Sequence, residues 1–176
     1  MIVSWIFLVF QLLFALFFFF LVLSFYTGAP YVPSKLKSAK RMIELAHISK
    51  GTRVVDLGSG DGKLLFEAAS YGAIAIGYEI NPFFVLLTNI KSFFSPYRTR
   101  VRAIWKNFWR AYISRADVIL LYLIPWKMKK LEDKLIKETK PGTKIISNSF
   151  LFPHIPCTEK DSDNHVYVFT VPKKRV

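Results

Sequence analysis

Apolar and polar positions fall into two regimes along the chain. Residues 2–26 are apolar apart from Ser4, Gln11 and Ser24, whereas from residue 51 onward short apolar runs alternate with amphipathic ones. An α-helix rises about 1.5 Å per residue and needs roughly 20 apolar residues to cross the hydrocarbon core of a bilayer, so the first regime predicts a transmembrane helix. In the second regime, β-branched runs predict strands at 53–57, 73–78, 101–105, 118–123, 143–149 and 166–171. Helical periodicity predicts helices at 63–70, 82–94 and 126–139. This alternation signals βαβ units, hence an α/β fold with a mostly parallel sheet and helices on both faces. A proline-rich stretch at 152–157 precedes the final strand, which is expected to return antiparallel at the sheet edge.

Gly28, Pro30 and Pro33 punctuate the chain after the first helix. Ser34 is a candidate N-cap for a helix running to about residue 47, with Leu36, Ala39, Ile43 and Ala46 on one face. The expected organisation is a signal anchor over 1–27, a linker and lid helix over 28–50, and a folded domain over 51–176.

The 176 residues carry 25 Lys or Arg against 12 Asp or Glu, a net charge of +13, and every charge lies from Lys35 onward. A basic leader and a small-residue cleavage site, the marks of a removed signal peptide, are missing from residues 1–26. Lys35, Lys37, Lys40 and Arg41 flank the C-terminal end of the apolar helix, so the positive-inside rule puts the domain in the cytoplasm, or in the mitochondrial matrix if the source is eukaryotic. Regular apolar runs argue against disorder, and a lone Cys157 cannot make an internal disulfide. His47, His154 and His165 do not combine with Cys157 in a ligand spacing, so no metal is expected. Between residues 80 and 116 basic residues alternate with aromatic ones and no acid occurs. Such a stretch can neutralise RNA phosphates or lie on anionic lipid. With an apolar anchor close by, an anionic lipid surface is the expected partner and nucleic acid is not.

The chemistry concentrates where the first strand of the domain runs into Asp56-Leu57-Gly58-Ser59-Gly60-Asp61-Gly62. Glycines at 58, 60 and 62 allow a tight turn and close approach of backbone to a ligand. Lys63 occupies the position of the last glycine of a GxGxxG dinucleotide fingerprint, and GxxxxGK[ST] does not occur. The spacing is DxGxGxG, similar to the first motif of class I S-adenosylmethionine-dependent methyltransferases. Glu79 closes the second strand, where a doubly wound nucleotide site places the carboxylate that accepts the ribose hydroxyls.

Pro30-Tyr31-Val32-Pro33-Ser34, the Val55 to Lys63 segment, Gly77-Tyr78-Glu79-Ile80-Asn81-Pro82 and Phe150-Leu151-Phe152-Pro153-His154 follow in the order and spacing of one family. The chain resembles the membrane-anchored lysine methyltransferases of the ATP synthase c-subunit and adenine nucleotide translocase, together with their microbial relatives. The resemblance implies a Rossmann-like class I methyltransferase sheet after one transmembrane helix, S-adenosylmethionine as cofactor, and a membrane-embedded protein with an accessible lysine as substrate. It places Asp56, Gly58, Ser59, Gly60 and Gly62 around the methionine end of the cofactor, Glu79 on the ribose, and Asn81 with Asn107 near adenine. Tyr31 and Ser34 would cover the site. Asn107 departs from the family, which has Asp there; it keeps hydrogen-bonding capacity without charge. Tyr122, Pro125 and Trp126, at the end of the fourth strand, are the candidates for substrate entry, while the catalytic proton acceptor is not assigned. Two other functions share these features: a methyltransferase for a lipid headgroup amine or other membrane small molecule, and a non-catalytic S-adenosylmethionine-binding or scaffold protein.

Overall fold

A computed structural model describes residues 2–27 and 36–172. The first element, α1 (Ile2–Thr27), is one uninterrupted helix, long and apolar enough to cross a membrane. Two hydroxyls near its C-terminal end are satisfied locally: Ser24 Oγ donates to the Leu21 carbonyl at 2.7 Å and Thr27 Oγ1 to that of Ser24 at 2.9 Å. A spanning helix must pair its polar groups internally in this way.

The remaining elements are α2 (Leu36–Ala46), β1 (Arg53–Leu57), α3 (Lys63–Ser70), β2 (Ile74–Glu79), α4 (Pro82–Phe93), β3 (Val101–Trp105), β4 (Val118–Leu121), α5 (Met128–Glu138), β5 (Lys144–Asn148), β6 (Cys157–Asp161) and β7 (Val166–Thr170). Short 3-10 turns at Phe108–Arg110 and Pro125–Lys127 precede β4 and α5. The sheet has seven strands in the order β3-β2-β1-β4-β5-β7-β6. β1 to β5 pair in parallel, whereas β7 runs antiparallel to β5 and to β6. From β1 the chain winds outward through α3 and α4 to β3, then returns to β4 beside β1. Loops from the two halves therefore meet at the C-terminal ends of β1 and β4, where open α/β sheets bind ligands.

Alternation along the strands divides the core. Val54, Ala75, Val118 and Ile146 face α2 and α3, while Val55, Leu57, Ile119 and Ile145 face α5. The helix expected to end near 47 ends at Ala46 and is built into this core: Ala39, Met42, Ile43 and Leu45 are buried against the sheet and α3. Its expected cap, Ser34, and the expected cover residue Tyr31 lie outside the described residues.

Two expectations are corrected. The final strand is antiparallel as expected but lies inside the sheet, and the edge belongs to β6, which was not foreseen. Its Cys-Thr-Glu-Lys-Asp sequence is exposed almost throughout, so it lacks the apolar alternation that marks a half-buried strand. The helix expected from 126 starts at Met128, because Pro125 opens a 3-10 turn that takes up Trp126 and Lys127.

Candidate active site

Beyond Leu57 the backbone turns through left-handed conformations at Gly58 (φ 89) and Gly60 (φ 50), which side chains disfavour. The turn lies against β2, where a Cβ at Gly77 would stand 2.5 Å from Ser59 Cβ. A second close approach lies behind it: a Cβ on Gly62 would come within 2.6 Å of Thr88 Cγ2 in α4, and Thr88 Oγ1 donates to the Gly60 carbonyl at 3.3 Å. Gly77 and Thr88 thus shape the turn from outside it. Neither role was legible from the glycine spacing.

Glu79, 5% exposed, reaches back from the end of β2. Its carboxylate accepts from the backbone N–H of Gly60 and of Asn81, each at 2.8 Å, so one side chain ties the glycine turn to the start of α4. Burial raises its pKa, opposed by those backbone donors. Asp56, 3% exposed, sits in β1 beside Gly77 and Leu120. Burial, then repulsion from Glu79 and Asp61, pushes its carboxyl up to about 8.

Asn81 and Asn107 occupy matching positions after β2 and β3. Asn81 Oδ1 accepts from Phe83 N at 3.0 Å and caps α4; Asn107 Oδ1 accepts from Trp109 N at 3.0 Å and caps a 3-10 turn. The two segments are joined where Lys106 N donates to the Glu79 carbonyl and Trp105 Nε1 to that of Ile80, both at 2.9 Å. Ser59 Oγ and Asn81 Nδ2 are buried without a hydrogen-bond partner among the described residues. Buried orphans of this kind call for a ligand or water. A nucleoside carrying hydroxyls and a polar base edge, joined to a positively charged group, fits a crevice with two carboxyls and these two unpaired atoms.

On the other side of the switch point, Tyr122 follows β4 and stacks on Phe150 with ring centroids 6.4 Å apart. Pro125 and Trp126 are exposed beside it. Phe150 was quoted only as part of a motif; the structure pairs it with a substrate-entry candidate. Its loop is held by Ser147 Oγ, which donates to the Phe150 carbonyl at 2.7 Å, and by Glu132 of α5. Glu132, 1% exposed, accepts from His154 N at 2.8 Å and Ile155 N at 2.6 Å, and pairs with His154 Nδ1 at 2.7 Å. His154 therefore closes a latch.

α1 lies along the same strand ends. Phe17 packs edge-on against Phe83 and Phe84, Phe20 against Trp105, and Phe25 against Trp126, with centroids 5.6 to 6.3 Å apart. Trp109 Nε1 donates to the Thr27 carbonyl at 2.8 Å.

A seven-stranded sheet with one reversed strand, β7, between β5 and β6, a glycine turn after β1 and an acid closing β2 define the architecture of class I S-adenosylmethionine-dependent methyltransferases. The chain belongs to the family described as the ANTKMT methyltransferase domain, which it matches over residues 56–159. It is 36% identical over 132 residues to a protein-lysine N-methyltransferase of Saccharolobus islandicus, covering 73% of this chain and 81% of that one. It is 29% identical over 125 residues to the human lysine N-methyltransferase of the ATP synthase c-subunit, covering 71% of this chain and 53% of that protein. The chain thus spans about half the length of this human relative. Among solved structures, a Salinibacter ruber RNA methyltransferase in complex with S-adenosyl-L-homocysteine superposes with a TM-score of 0.78 at 31% identity, over 82% of this chain and 97% of that one.

Proposed function

We propose that this protein is an S-adenosylmethionine-dependent N-methyltransferase that modifies a lysine of a membrane protein. The observation that carries the reading is the seat of α1: an apolar helix long enough to span a bilayer packs across the strand ends that hold the crevice. Relatives named for lysine methylation of the ATP synthase c-subunit and the adenine nucleotide translocase, both membrane proteins, support the substrate class. α1 anchors the domain, and the basic residues after it keep that domain on the cytoplasmic or matrix side. Anionic lipid beneath the domain is the second partner.

In this reading Asp56, Gly58, Ser59, Gly60 and Gly62 hold the amino-acid end of the cofactor, Glu79 the ribose, and Asn81 with Asn107 the base, under cover from Tyr31 and Ser34. Bound S-adenosylmethionine supplies a methyl group already activated on a sulfonium, so alignment is the main task left to the protein. Tyr122, Pro125 and Trp126, with Phe150 behind Tyr122, shape the entry for the lysine. Packed around an entering lysine side chain, these rings would desolvate its amine, which favours the neutral, nucleophilic form over the ammonium ion.

A second reading, RNA methylation, is favoured by the Salinibacter relative and by the exposed Arg98, Arg102 and Arg110. One assay separates the readings. Full-length protein is incubated with methyl-labelled cofactor and membranes from its source, and the products are split into protein, lipid and RNA fractions. Label in a protein band, lost with Glu79→Ala, supports the proposal. Label confined to RNA or lipid refutes it.

A further inference from the structure

Leu86, Leu87, Ile90 and Phe93 are all exposed on the outside of α4, as is Phe94 just beyond its end, by 81%. The helix already buries Phe84, Thr88 and Ser92 on its inner side, so its packing onto the sheet leaves this second apolar face uncovered. A helix on a water-facing surface carries polar residues at such positions. Beside it lies β3, the edge strand, which ends in exposed Trp105 and is followed by exposed Lys106. At the same edge is an open depression of about 600 Å³, lined by Ile74, Phe93, Arg98, Arg100 and Arg102 among others. The apolar face is therefore bordered by cations, and residues 80–116 contain no acid.

The course of α1 independently points to the same edge. Its contacts move from Phe83 and Phe84 at the start of α4, to Trp105 at the end of β3, to Trp126 beyond β4. The strand order is β3-β2-β1-β4, so the last turns of α1 run inward along the strand ends and its beginning projects past the β3 edge. Phe17 to Phe25, the stretch seated on the strand ends, closes the apolar run ahead of the basic residues from Lys35, so β3 and the start of α4 lie where the span leaves the hydrocarbon.

We propose that the domain sits edge-on, with the outer face of α4 and strand β3 in the interface of an anionic bilayer and the strands roughly parallel to the membrane plane. This inference rests on α1 being the membrane span and adds to it the contact surface and the orientation. Leu87, Ile90 and Phe94 enter below the headgroups, while Arg98, Arg102 and Lys106 meet lipid phosphates. Seven strands at about 4.8 Å spacing put the β6 edge about 29 Å from β3, well into water. The crevice then opens sideways along the bilayer surface, at the height of a lysine just outside the hydrocarbon.

The test uses the full chain in vesicles of phosphatidylcholine and phosphatidylserine, with single cysteines carrying an environment-sensitive fluorophore and nitroxide-labelled lipids as quencher. Native Cys157 in β6 reports the far edge. In a Cys157→Ser background, Phe94→Cys reports the near edge, Leu151→Cys the strand ends and Leu12→Cys the span. Quenching at 12 and 94 several-fold above that at 151 and 157 is expected. If 12 is quenched while 94 matches 157, the anchor stands and the edge-on seat is overturned; stronger quenching at 151 than at 94 overturns it in favour of a domain standing on its strand ends. If 12 is not quenched, the anchor reading fails, and position 94 alone upholds the α4 surface when quenched or overturns it when not.

Discussion

Replacing Asp56 by Asn should stabilise the cofactor-free protein, and increasingly so as pH rises. Asp56 is buried and its carboxyl is pushed up from 3.8 to about 8, first by desolvation and then by Glu79 and Asp61. A carboxyl whose pKa is raised on folding binds more protons folded than unfolded, so stability falls as pH climbs from the unfolded pKa to the folded one. For one group the slope is about 1.4 kcal/mol per pH unit. Between pH 5.5 and pH 8 that makes about 3 kcal/mol, with the full penalty present only above the folded pKa. Asn cannot ionise, so its advantage over wild type should widen by this amount across the window, or about 6 to 12 °C in melting temperature for a domain of this size. Any fixed effect of losing a carboxylate acceptor cancels in the comparison. Thermal unfolding of the detergent-solubilised full chain at several pH values, without cofactor, gives the result. A difference between Asp56→Asn and wild type that stays constant from pH 5.5 to pH 8 would refute burial as the dominant influence on this carboxyl.

Glu132→Ala leaves the His154 and Ile155 N–H groups without their acceptor and should cost about 2 to 5 kcal/mol, read by chemical denaturation, while Glu132→Gln keeps one acceptor and should cost less. Gly77→Ala forces the Ser59 turn away from β2 and should weaken cofactor binding measured by calorimetry by roughly five- to a hundredfold, on the order of 1 to 3 kcal/mol. Glu79→Ala removes a charged acceptor worth about 1.5 to 3 kcal/mol, so cofactor affinity should drop by roughly ten- to a hundredfold; wild-type affinity would withdraw the ribose role. Glu79→Gln, which retains one acceptor oxygen, should recover part of that loss.

How much of this was legible in the sequence follows from what each feature depends on. The parallel strands were, because Val54, Val55, Ile119, Ile145 and their neighbours are buried by sheet packing alone and make apolar runs wherever they occur. The glycine turn and Glu79 were, because they are local in sequence and sit at strand ends. β6 was not, since an exposed edge strand takes its structure from the hydrogen-bonding partner β7 and not from its own pattern. Nor were the close approaches of Gly77 to Ser59 and Gly62 to Thr88, which depend on how β2 and α4 pack against the turn. His154 was visible as part of a motif, but its partner Glu132 lies on a helix that only the fold brings near. Likewise the apolarity of α1 predicted a membrane segment, while its seat across the strand ends depends on aromatic partners scattered from Phe83 to Trp126.

The most direct test of the central claim is mass-spectrometric mapping of methylated lysines in source membranes treated with S-adenosylmethionine and either wild-type protein or Glu79→Ala. The account predicts a wild-type-dependent methyl-lysine in a membrane protein, located just outside a spanning segment and missing with Glu79→Ala. Methylation confined to soluble proteins, or undiminished by Glu79→Ala, would contradict it.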